Sequence, residues 1–237
     1  MTRKLFWADP YLSRADCVVA AVDGRAVELE STIFFAFSGG QESDAGTIGG
    51  VPVIEAELLE DGDIRYTLER APDFRAGDRV AVMIDPERRR ALTRLHFAAE
   101  LVLELVNQRY GRPRRLGAHI GPAKARLDFA WPDDAGLPAI AAVLADVEAA
   151  ANALVAENLP IVSAFDDPAA AEAAVAAADE RRHWEIAGFA RVPCGGTHPR
   201  STAEVGPLRL GAERLGRGKQ RVVIRLAEAA ANASANA

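Results

Sequence analysis

The chain has 237 residues, 49% of them apolar, and a formal net charge of −6, enough apolar matter for one large domain or two small ones. Its start, MTRKLFWADPYL, holds no apolar stretch of signal-peptide length, and no uncharged run reaches the roughly 18 residues that a bilayer-spanning helix needs. A soluble, cytoplasmic protein with no membrane partner is expected, and two distant cysteines, Cys17 and Cys194, exclude a disulfide framework and fit a reducing compartment.

An acidic total argues against a generic nucleic-acid binder, but the charge is segregated. Between Pro86 and Arg126 ten Lys or Arg stand against Glu87, Glu100 and Glu104, and between Thr197 and Leu226 seven stand against Glu204 and Glu213. From Pro132 to Glu180 there are ten Asp or Glu and no Lys or Arg. The acidic total therefore conceals two basic islands able to meet phosphates, although ordinary solvated faces produce such patterns about as often.

In chain order, CVVAAV, AVELE, TIFFAF, GGVPVIEAELL, IRYTLE and RVAVMI read as short strands, several separated by Asp23-Gly24, Asp61-Gly62 and Gly77-Asp78 turns. They suggest a small β-barrel over residues 1–85. Helical spacing then begins at Asp85-Pro86-Glu87, where an N-cap, a first-turn proline and an acid favoured by the helix dipole coincide. This helix should run to about Tyr110 and stop at Gly111, burying Leu92, Leu95, Ala99, Val102 and Val106. RLGAHIGPAKARLDFAW follows as two strands or one bent strand. Next comes an acidic, alanine-rich helical stretch broken at Pro160 and Pro168. HWEIAGFARVPC alternates like a strand, QRVVIRL reads as the last one, and the alanine-rich end at 227–237 reads as a frayed tail. A second domain over 86–226 is expected.

Cys194-Gly195-Gly196-Thr197-His198 carries the strongest chemical signal. Its glycines disfavour a helix and permit a tight turn that aims a thiol and an imidazole at one point, as a metal requires. Alone, such a Cys and His more often form a packed pair. His96 and Glu100, four apart on the predicted helix, project side by side and can chelate one ion, though an ordinary i,i+4 pair has the same spacing. Together the motifs assemble His96, Glu100, Cys194 and His198, all residue types that bind zinc, as one Zn2+ site per chain. His119, His183 and Cys17 read first as structural residues.

Three stretches, CGGTHPRSTAEVG (194–206), TIFFAFSGGQESDAGTIGG (32–50) and LHFAAELV with GAHIGPAKARLDF, resemble in that order the signatures of stand-alone alanyl-tRNA editing proteins. These are relatives of the editing domain of alanyl-tRNA synthetase, and the resemblance covers nearly the whole chain. The expected fold is α+β, an N-terminal β-barrel followed by an α/β two-layer editing domain with an antiparallel sheet. The implied activity is hydrolysis of serine or glycine wrongly esterified to alanine tRNA, with water held or polarised by the metal. By the same resemblance Thr32 hydrogen-bonds a serine hydroxyl, the Gly39-Gly40-Gln41 loop lies over the site with Gln41 among the catalytic residues, and tRNA is the partner. Arg88, Arg89, Arg112, Arg114, Arg115, Arg217 and Lys219 are candidate phosphate contacts.

The sequence departs from the family at two places. Glu100 stands where the helical His-x-x-x-His motif has its second histidine, and Ser38 replaces the first glycine of GGGQ. Glu100 is then either a fourth, anionic ligand or a general base outside the metal. Two alternatives follow from the departure: a tRNA-binding paralogue without catalysis, and a metal-dependent hydrolase of another small substrate.

Overall fold

The computed structural model describes residues 2–131, 136–165 and 182–227. The chain opens with β1 (Arg3–Lys4) and one helical turn, α1 (Leu5–Ala8). Seven strands follow: β2 (Arg14–Asp23), β3 (Ala26–Leu29), β4 (Ser31–Thr32), β5 (Gly46–Ile48), β6 (Val51–Leu58), β7 (Ile64–Leu68) and β8 (Arg79–Ile84). Six of them close a barrel in the order β2-β3-β7-β6-β5-β8. The two-residue period of strands fills it: Ile64, Tyr66 and Leu68 along β7, and Val80, Val82 and Ile84 along β8, are all buried.

TIFFAF, expected as a strand, is one only at Ser31–Thr32, where β4 pairs in parallel with β1. Ile33 to Ala36 are buried but are held by a side chain in place of a ladder. The Phe35 N–H donates to Asp44 Oδ2 at 2.7 Å, and the Asp44 N–H donates to the Phe35 carbonyl at 3.1 Å. The Asp44 carboxylate is in turn gripped by Arg89, which also donates to the carbonyls of Ile33 at 2.6 Å and Pro10 at 2.9 Å.

Arg89 lies in the first turn of α2 (Pro86–Arg109), whose start is capped as expected, with Asp85 Oδ1 accepting from the N–H groups of Glu87 and Arg88 at 2.9 and 3.1 Å. Gly111, at φ 71°, follows its end, and the expected stripe from Leu92 to Val106 is buried. Next come β9 (Arg115–Ile120), β10 (Ala125–Ala130), α3 (Ile140–Glu157) and β11 (Val162–Phe165). HWEIAGFARVPC is a hairpin and not one strand: β12 (Arg182–Ile186) and β13 (Ala190–Pro193) are joined through Gly188 at φ 75°. One 3-10 turn, Thr202–Val205, precedes β14 (Leu208–Gly216), a strand absent from the sequence expectation, and β15 (Lys219–Leu226).

The fold is thus α+β, as expected. One compact unit comprises Met1–Thr93 and Val162–His198, the barrel with the antiparallel sheet β11-β12-β13. The other comprises Arg94–Ile161 and Pro199–Ala237, with the antiparallel sheet β14-β15-β10-β9 and α3 packed on β14. The last barrel strand ends at Ile84, and the compact division falls between Thr93 and Arg94 inside α2. No helix among the described residues is long and apolar enough to cross a membrane. The frayed-tail expectation, for all but Ala227, and the helix break at Pro168 fall outside the described residues.

Candidate metal centre

The Gly39-Gly40-Gln41 segment is a tight turn. Ser38 and Gln41 exchange backbone hydrogen bonds at 3.2 and 2.9 Å, and Gly39 and Gly40 have φ of 60° and 92°, values that favour glycine. The turn sends Gln41 fully into the protein, where its amide meets Thr197 twice. Gln41 Nε2 donates to Thr197 Oγ1 at 3.2 Å, and the Thr197 N–H donates to Gln41 Oε1 at 3.4 Å. Thr93 of α2 lies 2.8 Å from the same Thr197 hydroxyl. Thr197 is therefore braced from two sides, immediately before His198.

The Cys194–His198 turn is fixed by its backbone. Cys194 N–H donates to the Arg182 carbonyl at 2.9 Å, Arg182 Nη1 donates to the carbonyls of Cys194 and Gly196 at 3.0 and 2.9 Å, and Trp7 Nε1 donates to the Gly195 carbonyl at 2.8 Å. The Gly196 N–H donates to Cys194 Sγ at 3.5 Å. Gly195 and Gly196 both keep negative φ, so the left-handed glycines belong to the Gln41 turn and not to this one.

His198 Nδ1 is hydrogen-bonded with Ser163 Oγ at 2.8 Å, while its Nε2 is buried and makes no hydrogen bond. His96 Nδ1 is likewise buried without one. His96, Cys194 and His198 each offer a ligand atom, and the three atoms lie within 4.8 Å of one another. Burying imidazole nitrogens with no acceptor or donor is costly in a purely structural cluster and natural around a cation. The donor set fits a metal that accepts nitrogen and sulfur. Glu100 Oε1 lies 3.8 Å from His96 Nε2, and its side chain is 15% exposed.

The remaining candidates are placed as follows. Thr32 is fully buried, its Oγ1 accepting from the Phe34 N–H at 3.0 Å and lying 2.9 Å from Tyr66 Oη. His183 is buried in β12 and His119 sits half-buried in β9; neither joins the trio. Burial raises the Cys17 thiol pKa, which suits core packing. Arg89 is not free to meet phosphate, because Asp44 and two carbonyls take its guanidinium at 3% exposure. The TAEVG part of the long motif is structural. Thr202 Oγ1 accepts from the Leu159 N–H at 2.9 Å and donates to the Leu154 carbonyl at 2.5 Å at the end of α3, and Gly206 at φ 77° leaves room for Arg94. Sequence reasoning missed Ser163, Arg182, Thr93 and Trp7. Thr93 precedes His96 by one helical turn and was discoverable; Ser163 carries no local signal.

No family model matches the chain. It is 30% identical over 225 residues to an alanyl-tRNA editing protein AlaX-M of Pyrococcus horikoshii, covering 94% of this chain and 96% of that protein. It is 27% identical to an alanyl-tRNA editing protein AlaX-M of Saccharolobus solfataricus, covering 94% of this chain and 98% of that one. An alanine–tRNA ligase of Methanococcus aeolicus is 27% identical across 93% of this chain, which spans 25% of the ligase.

Proposed function

This chain belongs to the family of AlaX-M alanyl-tRNA editing proteins, and from that premise we propose that it hydrolyses the ester joining serine or glycine to alanine tRNA. A synthetase pocket shaped for alanine discriminates poorly against small competitors, so a second site that destroys the product has a clear chemical purpose. The observation that supports a metal-assisted route is the convergence of His96, Cys194 and His198. Two imidazoles and a thiol suit zinc, and three protein ligands leave a fourth position open. Zinc held there supplies Lewis acidity toward the ester carbonyl and toward water.

The chain's own residues supply orientation and proton transfer. Glu100, beside His96 and partly exposed, takes the proton of the attacking water as general base. Ser163 fixes the ring of His198 through Nδ1, and Gln41 with Thr93 fixes the turn that carries it. A hydroxyl has three hydrogen-bonding positions; Phe34 and Tyr66 take two of those on Thr32, and the third is the one a serine hydroxyl would use. The exposed Arg112, Arg114, Arg115, Arg217 and Lys219 meet tRNA phosphates by charge.

The test is deacylation of alanine tRNA charged with serine, glycine or alanine, with and without a chelator. Hydrolysis of the serine and glycine esters, sparing alanine and lost on chelation, is expected. Seryl-tRNA hydrolysis no faster than the uncatalysed rate in the presence of zinc leaves a tRNA-binding paralogue, the reading that Glu100 in place of histidine favours. Turnover of small esters that ignores ionic strength points to another small substrate.

A further inference from the structure

The antiparallel sheet β14-β15-β10-β9 of the second unit brings two distant cationic segments to one of its ends, where β9 begins, β10 ends and β14 turns into β15. The Ala130 N–H donates to the Arg114 carbonyl at 2.9 Å, and the Trp131 N–H donates to the Gly218 carbonyl at 2.7 Å. Ala130 lies opposite Lys219, which in turn lies opposite Gly216. Arg112, Arg114, Arg115, Arg214, Arg217 and Lys219 therefore share this end, and all are exposed. With neighbouring strands about 4.8 Å apart, they spread over roughly 14 Å.

Towards the middle of the sheet the cations are neutralised, Arg126 and Arg221 both holding Asp128, at 2.6 and 2.7 Å. At the opposite end Arg209 holds Glu148 at 2.7 Å, beside the exposed Lys124 and Arg225. No side chain of the cationic end is hydrogen-bonded or ion-paired to a described residue. In a chain of net charge −6, this concentration of like charge opposes the overall sign, repels itself, and is relieved by a polyanion laid across it. The aromatic rings at this end are engaged: Phe129 and Trp131 are buried and meet edge to face at 6.5 Å, and the Tyr110 hydroxyl donates to Asp146 at 2.7 Å. Single strands are held by bases stacking on open rings, whereas a paired stem keeps its bases inside and shows phosphates. A duplex also carries about twice the charge per length of a single strand.

We propose that this end of the sheet is a docking surface for a base-paired RNA stem, gripped through its phosphates without reading its sequence. The choice of RNA among polyanions rests on the editing reading. The inference deepens that reading by naming a paired stem, and not the esterified end, as what these cations hold.

A fluorescein-labelled RNA stem-loop with a blunt end, and so without an unpaired 3′ extension, titrated with the intact chain by anisotropy between about 50 and 200 mM salt, tests this. Log affinity against log salt should slope at about −4 or more steeply, and one arm of the stem as a single strand should bind about tenfold or more weakly. Arg114→Gln with Arg217→Gln should flatten the slope by about 2 and weaken binding by about tenfold or more. Lys124→Gln with Arg225→Gln removes the same charge from the opposite end of the sheet and should leave the slope nearly unchanged. Equal losses from the two pairs of substitutions, a single strand bound as tightly as the stem, or retention on phosphatidylserine–phosphatidylcholine vesicles at a salt concentration that releases the stem, each overturn the surface. Seryl-tRNA hydrolysis by the unsubstituted protein separates the two ideas: hydrolysis without the difference between the two pairs refutes the surface alone, and that difference without hydrolysis refutes the editing reading alone.

Discussion

Replacing Gln41 with methionine keeps the length and approximate volume of the side chain and removes both of its polar atoms. Thr197 Oγ1 retains Thr93 at 2.8 Å, so the group left without a partner is the buried Thr197 N–H, now 3.4 Å from Gln41 Oε1. A buried donor stripped of its acceptor costs about 1–3 kcal/mol, and a contact this long for N–H···O places the loss in the lower half, about 1–2 kcal/mol. With a urea slope of about 2 kcal/mol/M, the unfolding midpoint should fall by roughly 0.5–1 M at unchanged slope. Because the loosened residue precedes His198, zinc affinity should fall by about tenfold, and added zinc should restore most of the deacylase activity. The assays are urea unfolding, zinc competition against a chromophoric chelator, and seryl-tRNA deacylation across a zinc series. Unchanged midpoint and zinc affinity, with a collapse of hydrolysis that zinc does not rescue, would refute this and show that Gln41 touches the reacting atoms.

Glu100→Gln should lower hydrolysis by about 10²-fold or more with little change in zinc affinity, as expected of a general base; weakened zinc binding rescued by excess metal would instead make Glu100 a ligand. Arg89→Met leaves Asp44 buried with its partner gone and should cost about 3–5 kcal/mol in denaturant unfolding; a loss under about 1 kcal/mol would contradict the role given to this ion pair. Asp128 accepts from Arg221 at 2.7 and 3.0 Å and from Arg126 at 2.6 Å, and hydrogen bonding to Arg221 first of all holds its carboxyl below the usual carboxylate value. Its stabilisation is therefore present above the unfolded value of about 4 and is lost as pH falls from there through the depressed one. Stability measured against pH should lose part of its acid limb in Asp128→Asn, and an unaltered slope below about pH 4 would count against the assignment.

What the sequence determined by itself is what backbone geometry repeats locally. Alternation along β7 and β8, the Asp85-Pro86 start and Gly111 stop of α2, and the buried stripe from Leu92 to Val106 all follow from periods of two and about 3.6 residues, and all are found. The same local logic put Cys194 with His198 in one turn and His96 on a helix beside Glu100. It failed where a side chain substitutes for a local signal: TIFFAF has a strand's composition, but Asp44 and Arg89 hold it outside a ladder. Only the tertiary structure decided what holds the Cys194–His198 turn. Ser163, Trp7 and Arg182 reach the Cys194–His198 turn from segments up to 188 residues away in sequence, and Gln41 arrives across 156 to brace Thr197 from within the core. Pairings of that separation leave no periodic trace in a single chain, because they are fixed by the closure of the barrel and the register of β11-β12-β13, and not by the residues that flank them.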